Sequence, residues 1–351
     1  MQNDNKSQKD KVMRIGILSS GGDCPGINAA IRGVGKTAIM EYGMEVIGIS
    51  NGFTGLVNLD TISLNENQLS GILTIGGTIL GTSRMKPFRK QEGDTVENKP
   101  ETIVKNYEAL GLDALVCIGG NGTQKTAHLL SQEGLNVIGI PKTIDNDVWG
   151  TDITFGFDSA VWIGTEAIDR LHTTANSHKR VMVIEVMGHT AGWIALYAGM
   201  ASGGDMILIP EIEYDMDTVA EVLMERSQKG KPYSIVVVAE GIENPKKKSA
   251  GQYIARQITK LTNLETRETI LGYIQRGGSP SPKDRILATR YGAHAAELIH
   301  QRKFGNMVSL QGNDITHIPL AEVGGKIKLV PSNHELIIRG KHMGVSFGEK
   351  R

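Results

Sequence analysis

The sequence predicts an α/β protein of two doubly wound, Rossmann-like lobes, and three observations predict it. A chain of 351 residues is longer than one hydrophobic core usually serves. Apolar runs of strand length alternate with helical patterns from Met13 to about Gln301, as in parallel sheets covered by helices. The runs end in glycine or polar clusters, and the carboxyl ends of strands are where open α/β sheets bind ligands.

Composition narrows the class. Lys plus Arg (38) equals Asp plus Glu (38), so overall charge gives no argument for a nucleic-acid or membrane partner, and any anion site must be local. No apolar stretch approaches the roughly 18 residues that a spanning helix needs. The two cysteines, Cys24 and Cys117, and the polar start of the chain lead to the expectation of a cytoplasmic protein without a standard signal peptide.

Taken in order, residues 1–12 are polar and charged and read as a frayed, disordered tail. RIGILSS from Arg14 is a strand, SGGDCPGIN a glycine turn and Ile27 to Met40 a helix. Glycines 21, 22 and 26 remove side chains where backbone N–H groups would meet an anion, and the helix start adds its dipole. The turn lacks a Walker Lys-Ser/Thr pair, so a purely steric turn stays open. Glu45 to Ser50 is a second strand, followed by a polar stretch to Leu69. The segment GILTIGGTILGTSRMKPFR then carries Arg84 on a glycine-rich loop, either to fork onto phosphate oxygens or as a solvated basic turn. Pro100 to Leu110 is a helix and Ala114 to Ile118 a strand. Gly119, Gly120, Asn121, Gly122 and Thr123 make another glycine turn, feeding a helix from about Thr126.

VIGIPKTIDND, Val137 to Asp147, reads as a buried strand delivering Pro141, Lys142, Thr143, Asp145 and Asp147 at its carboxyl end. Two carboxylates two residues apart leave an extended segment on one side, where one could take a proton while the other works on a metal shell; an Asx-rich turn is the alternative. Ser159 to Thr174 is a helix. Arg180 precedes the strand Val181 to Val186, which ends in the turn Met187, Gly188, His189. Helices at Gly192 to Ala201, 216–229 and Ala250 to Leu261 alternate with strands at Met206 to Ile209 and Ser234 to Ala239, giving the second lobe. Glu240 ends the last of these strands, to hydrogen-bond a polyol or to cap a helix. Arg267 and Arg276 bracket a strand read over Glu268 to Gln275, and Pro282 to Gln301 is a helix. Leu310 to Arg351 mixes strand-like IKLV and ELII with basic segments, and its pattern assigns it no role.

The motifs SGGDCPGINAAIRG, GGTILGTSR, GGNGT, PKTIDND, GFDSA, AIDR, EVMGH, AEG and LGYIQRGGSPSPKDR stand in an order that resembles the phosphofructokinase family, from about Met13 to Gln301. The resemblance implies an active site in the cleft between the lobes. It gives a donor (nucleotide) lobe over 13–150 plus about 275–318, and a sugar-phosphate lobe over about 151–274 plus 319–351. The activity it implies is transfer of the γ-phosphoryl group of ATP, with Mg2+, to the C1 hydroxyl of fructose 6-phosphate. Asp145 is then the general base, while Thr143 and Asp147 orient the hydroxyl and the Mg2+ shell. Gly21 and its neighbours cradle the donor phosphates, Arg84 holds charge on the group in flight, and Gly119 to Thr123 contact nucleotide and metal. Met187, Gly188, His189 and Glu240 line the sugar pocket, and Tyr273 and Arg276 reach the 6-phosphate. Arg180 and Arg267 match arginines that complete a neighbour's site, so the resemblance implies a homo-oligomer, homotetramer or homodimer.

Branch markers are mixed. Gly122 resembles ATP users, because a carboxylate there would repel the nucleotide's α-phosphate, whereas Lys142 looks like the pyrophosphate branch. Exclusion is harder to evade than a missing attraction, so ATP is the expected donor in a combination similar to the mixed-substrate group. Asn121 stands where the family places Asp for Mg2+ and keeps an oxygen without the charge. Arg32 and Lys36 match an effector pocket, but His172 and His189 replace arginines, so classical effector control is not expected. An Asp with an ordinary pKa of about 3.9, beside Lys142 and a metal, is expected to be ionised. The rival readings are a pyrophosphate-dependent phosphotransferase, a kinase of the NAD-kinase or diacylglycerol-kinase type, which shares the GGNGT-like loop but lacks YIQRGGSP and MGH, and a non-catalytic sugar-phosphate sensor.

Overall fold

A computed structural model describes residues 12–89, 99–245 and 249–350 of the chain, so the expected tail falls outside the described residues except for Val12. The chain opens with β1 (Arg14–Ser20), α1 (Ile27–Met40), β2 (Glu45–Ile49), α2 (Phe53–Asn58) and β3 (Thr61–Ser63). α3 (Lys99–Ala109), β4 (Ala114–Gly119), α4 (Asn121–Gln132), β5 (Val137–Thr143) and β6 (Phe155–Gly156) follow. Next come α5 (Phe157–His178), β7 (Val181–Val186), α6 (Trp193–Ala201), β8 (Met206–Leu208), α7 (Met216–Gln228), β9 (Ser234–Ala239), α8 (Ala250–Thr262) and β10 (Thr266–Ile270). The last elements are α9 (Pro282–His300), β11 (Asn306–Gln311), β12 (Asp314–Pro319), α10 (Leu320–Val323) and α11 (Glu335–His342).

Two sheets carry these elements. One has the order β12-β11-β5-β4-β1-β2-β3, with β6 added to β5, and is parallel except for its edge strands β3 and β12. The other, β10-β7-β9-β8, is parallel throughout. Parallel strands covered on both faces are buried along their length, as β4, β5, β7 and β9 are at every position, which is why they read as largely apolar runs. One core cluster runs from Ile15 and Ile31 beside β1 to Val183 and Val237 in the second sheet, and a second fills the opposite face of the larger sheet around Leu115 and Phe53. α9 returns from the second sheet to pack on α1. A Cβ at Gly33 would meet the carbonyl oxygen of Thr289 at 2.7 Å and one at Gly292 that of Ala30 at 2.5 Å, so the two backbones approach as only glycine allows.

The expected α/β architecture of two parallel-sheet lobes is present, and several boundaries differ. The strand read over Glu268 to Gln275 stops at Ile270. Leu271 is helical, Gly272 has φ +53°, and Gly272–Arg276 form a 3-10 turn that swings Gln275 and Arg276 inward. α4 begins at Asn121, not near Thr126, because extended Gly120 already serves as its N-cap. ELII lies in α11, and IKLV forms no regular strand, although Ile327 makes an antiparallel bridge to Val148. α2 and β3 occupy the stretch read only as polar. Among the described residues, no helix is long and apolar enough to cross a membrane.

Candidate active site

β1, β4 and β5 are adjacent and parallel, with Ser20 opposite Gly119 and Gly119 opposite Pro141, so their carboxyl ends finish side by side. β2 continues the sheet on one side of β1 and β4 on the other. The crevice therefore opens where strand order reverses, the usual ligand position in such sheets. A cleft of about 320 Å³ sits there, lined by three loops, by His189 after β7 and by Arg276 after β10.

The first loop follows β1. Gly21 has φ +87°, its N–H donates to the Ser83 carbonyl at 2.9 Å and its own carbonyl accepts from Thr82 Oγ1 at 2.7 Å. The Gly21 amide thus braces the neighbouring loop, and Gly21 itself lines the cleft. That braced loop presents Arg84, which lines the cleft, is exposed and makes no hydrogen bond or ion pair among the described residues.

The second loop follows β4 and turns at once into α4. Thr123 Oγ1 donates to the Ser20 carbonyl at 3.3 Å, tying the helix start to β1. The N–H groups of Thr123 and Gln124 are spent on the Gly120 carbonyl, while Asn121 and Gly122 ahead of them line the cleft at the helix start, where a helix offers amides to an anion. A Cβ at Gly122 would meet nothing within 4 Å, so a side chain there would project into open cleft.

The third loop carries the carboxylates. Thr143 Oγ1 donates to Asp145 Oδ2 at 3.2 Å and accepts the Asp145 N–H at 3.1 Å, while Arg276 Nη2 lies 3.9 Å from the same Oδ2. Asp145 Oδ1 is buried and has no partner. Burial first, and the neighbouring Asp147 second, raise the Asp145 pKa, against which Arg276 and the Thr143 hydroxyl act. The expectation of an ordinary pKa for Asp145 is corrected on this point: burial shifts the carboxyl upward from its usual range. Asp147 is likewise raised by burial. Asn121 Nδ2 donates to the Asp147 carbonyl at 3.2 Å and to Asp147 Oδ2 at 3.0 Å, which leaves Asn121 Oδ1 buried without a partner. Two unpartnered oxygens, on Asn121 and Asp145, therefore line the cleft, a donor type that suits a hard cation. Among the described residues no group of three His, Cys, Asp or Glu side chains converges, so the protein alone offers a sparse ligand set. Lys142 is buried, donates to the Gly22 carbonyl, and has its pKa lowered by that burial.

The remaining sequence-derived residues divide. His189, with φ +53°, lines the cleft. Glu240 Oε1 accepts the N–H groups of Gly188 at 3.2 Å and His189 at 2.8 Å, so it braces the turn that shapes the pocket and caps no helix. The Met187 N–H donates at 2.7 Å to Gln275 Oε1, and Gln275 Nε2 donates to the Ala160 carbonyl at 3.2 Å. Gln275 is fully buried and was missed in the sequence; a lone amide inside YIQRGG was its only signal. Arg276 Nη1 donates to the Asp23 carbonyl at 3.3 Å, whereas Tyr273 is 73% exposed and outside the lining. Arg180 and Arg267 both pair with Glu265 Oε1, each at 2.8 Å. They sit at the amino ends of β7 and β10, Arg180 roughly 23 Å and Arg267, opposite Met182, roughly 17 Å along the strands from Met187 at about 3.3 Å per residue, and neither lines this chain's own cleft. His172 is occupied by Tyr233 Oη at 3.0 Å and the Ser202 carbonyl at 2.7 Å.

Comparison with known proteins adds the following. The family model described as phosphofructokinase matches residues 14–299. The ATP-dependent 6-phosphofructokinase 3 of Bacteroides thetaiotaomicron is 63% identical over 336 residues, 96% of this chain and 100% of that protein. The ATP-dependent 6-phosphofructokinase of Spirochaeta thermophila is 56% identical, with 95% of this chain and 97% of that protein covered. A solved phosphofructokinase from Saccharomyces cerevisiae superposes with a TM-score of 0.80 at 33% identity, over 89% of this chain, which spans 45% of the yeast chain.

Proposed function

The chain belongs to the phosphofructokinase family, and from that premise we propose that it transfers the γ-phosphoryl group of ATP to the C1 hydroxyl of fructose 6-phosphate, giving fructose 1,6-bisphosphate and ADP. The observation that carries the reading is the unpartnered Asp145 Oδ1, buried in a cleft that faces two glycine loops and a helix start. Phosphoryl transfer needs little covalent help and much charge placement, and the cleft supplies it. Asp145 takes the C1 hydroxyl proton at Oδ1 while Thr143 and Arg276 hold Oδ2. The free amides at the start of α4 and the unpaired Arg84 receive the donor's phosphates. His189 and Arg276 face the sugar phosphate, with Gln275 and Glu240 fixing the turn behind them. Asn121 Oδ1 presents the unpartnered oxygen that would face a bound Mg2+, with Asp147, held by the Asn121 amide, reaching it through water; the ion would supply charge neutralisation for the phosphates, and most of its ligands would be phosphate oxygens and water.

ATP is the preferred donor, supported by the open space at Gly122 and by the names of the relatives. Lys142 on the same cleft is the observation that favours pyrophosphate as a second donor. In this reading the larger-sheet lobe takes the donor and the smaller-sheet lobe the sugar phosphate. The enzyme acts in the cytoplasm as a homo-oligomer in which Arg180 and Arg267 reach a neighbour's sugar phosphate; their distance from their own cleft supports this. Fructose 1,6-bisphosphate formation, followed with Mg2+ and either donor, tests the assignment. Turnover with ATP exceeding that with pyrophosphate is expected, and no product with either donor defeats the reading.

A further inference from the structure

We infer that Lys328, in the C-terminal segment to which the sequence assigned no role, is a positioning residue for phosphoryl transfer: its ammonium fixes the loop that carries Asp145 and Asp147. The inference rests on the reading of Asp145 as the base. Lys328 Nζ donates to Asn146 Oδ1 at 2.9 Å, the Thr151 carbonyl at 2.9 Å and the Asp152 carbonyl at 2.7 Å, which uses all three of its donors. Its backbone N–H donates to the Asp147 carbonyl at 2.8 Å, and its own carbonyl accepts from Trp193 Nε1 at 2.9 Å. The ammonium also stands 5.3 Å from the centre of the Trp193 ring. Two residues on, the Val330 N–H donates to Glu211 Oε1 at 2.9 Å, and the same carboxylate accepts from Gly192 at the start of α6. The segment is thus stitched to the carboxylate loop on one side and to the second lobe on the other.

The residue that Lys328 grips lies between the two carboxylates. Asn146 is left-handed, φ +52°, and its Oδ1 also accepts the Thr154 N–H at 3.0 Å. The backbone on both sides of Asp147 is therefore set by Asn146 and by the Lys328 main chain, and the course of that backbone aims both carboxylates. Asp145 has only Thr143 and a 3.9 Å approach from Arg276 to hold its own side chain, so its aim depends on the loop. A carboxylate displaced by about 1 Å loses roughly 100-fold in rate even when substrates still bind. A full set of neutral acceptors around one cation, rather than a single opposing carboxylate, is what a clamp requires and what a surface ion pair lacks.

Steady-state kinetics of the wild type, Lys328→Met, Asn146→Gly and the double variant test this. Glycine keeps the left-handed backbone while deleting the acceptor. In Lys328→Met, kcat is expected to fall roughly 100-fold with KM for ATP and fructose 6-phosphate within about threefold. Asn146→Gly should fall in the same direction, and the two losses should combine to less than their product in the double variant, because the substitutions share the Lys328–Asn146 hydrogen bond. A folded Lys328→Met or, if that variant does not fold, an Asn146→Gly that keeps kcat within about threefold of wild type overturns the inference. A kcat loss accompanied by equal loss of substrate binding and a lower melting temperature overturns it too, because that is the behaviour of a strut. Wild-type turnover in the same assay separates this failure from failure of the kinase reading itself.

Discussion

Asp145 meets two opposed demands at once. Burial and Asp147 push its proton affinity up, which suits a group that must accept a proton, while Arg276 and the Thr143 hydroxyl act in the opposite direction. Asp145→Ser should lower kcat roughly 100- to 10,000-fold, the range for loss of a general base, while fructose 6-phosphate binding measured by titration calorimetry stays near wild type. Because the folded pKa lies above the unfolded one, the wild-type carboxyl withdraws stability as pH rises through it, so the serine variant should not melt below wild type at pH 8. Gly122 makes the complementary case at the donor end. Its Cβ direction is open, so Gly122→Asp should fold normally and place a carboxylate against the nucleotide's phosphates. Like-charge juxtaposition costs several kcal/mol, so kcat/KM for ATP should fall roughly 100-fold and that for pyrophosphate less. Equal losses with both donors would detach Gly122 from donor choice.

At the scale of elements, the junction of α5 and α9 shows how a helix start serves the cleft from behind. Asp284 Oδ2, in the first turn of α9, accepts the Ser159 N–H at 2.8 Å and the Ser159 hydroxyl at 2.6 Å, joining the starts of the two helices. Its Oδ1 is buried and unpartnered, and burial pushes its pKa up to about 6. The raised folded pKa means that stability is present below the unfolded value and is lost as pH climbs through about 6. Relative to Asp284→Asn, which keeps the acceptor without the charge, the wild type should lose up to roughly 3 kcal/mol between pH 3 and pH 8 in urea unfolding. A pH-independent difference would remove Asp284 as the cause. Gln275→Ala, by orphaning the Met187 N–H, should cost about 1–3 kcal/mol and raise KM for fructose 6-phosphate more than KM for ATP. The strands and glycine turns around these elements were legible because their signals are local: Val137 to Thr143 is an apolar run and Gly119–Gly120 marks its neighbour's end. The misread boundaries share one cause. The apolar, β-branched pattern around Ile270 and Ile274 continues through the point where Gly272 turns the backbone, and ELII has strand composition but is helical because Ile337 and Gly340 pack inward. Gln275 and Lys328 were illegible for a different reason: their partners lie 88 and up to 182 residues away, and no local period reports such pairings.

At the scale of the whole molecule, the cleft gathers Asp145, the start of α4 and the cations Arg84, Lys86, Lys142 and Arg276, yet leaves Arg180 and Arg267 at the opposite end of the second sheet. Both rest on Glu265, an exposed carboxylate whose pKa they lower, an arrangement that holds two guanidinium groups side by side at a surface. The proposed sharing of the site, in which a two-fold contact would set each copy's pair against the other's cleft, can be tested by complementation. Asp145→Ser should be inactive through its own cleft, and a double Arg180→Ala, Arg267→Ala variant should show a strongly raised KM for fructose 6-phosphate. Unfolded together at equal amounts and refolded, half of the pairs are mixed, and each mixed pair holds one site with both defects and one with neither. Activity at low fructose 6-phosphate should therefore recover to about a quarter of wild type. If each chain completed its own site, every site in the mixture would retain one defect. The refolded mixture would then show no more activity than the sum of the two variants refolded apart, and Arg180 and Arg267 would return to being ordinary surface cations.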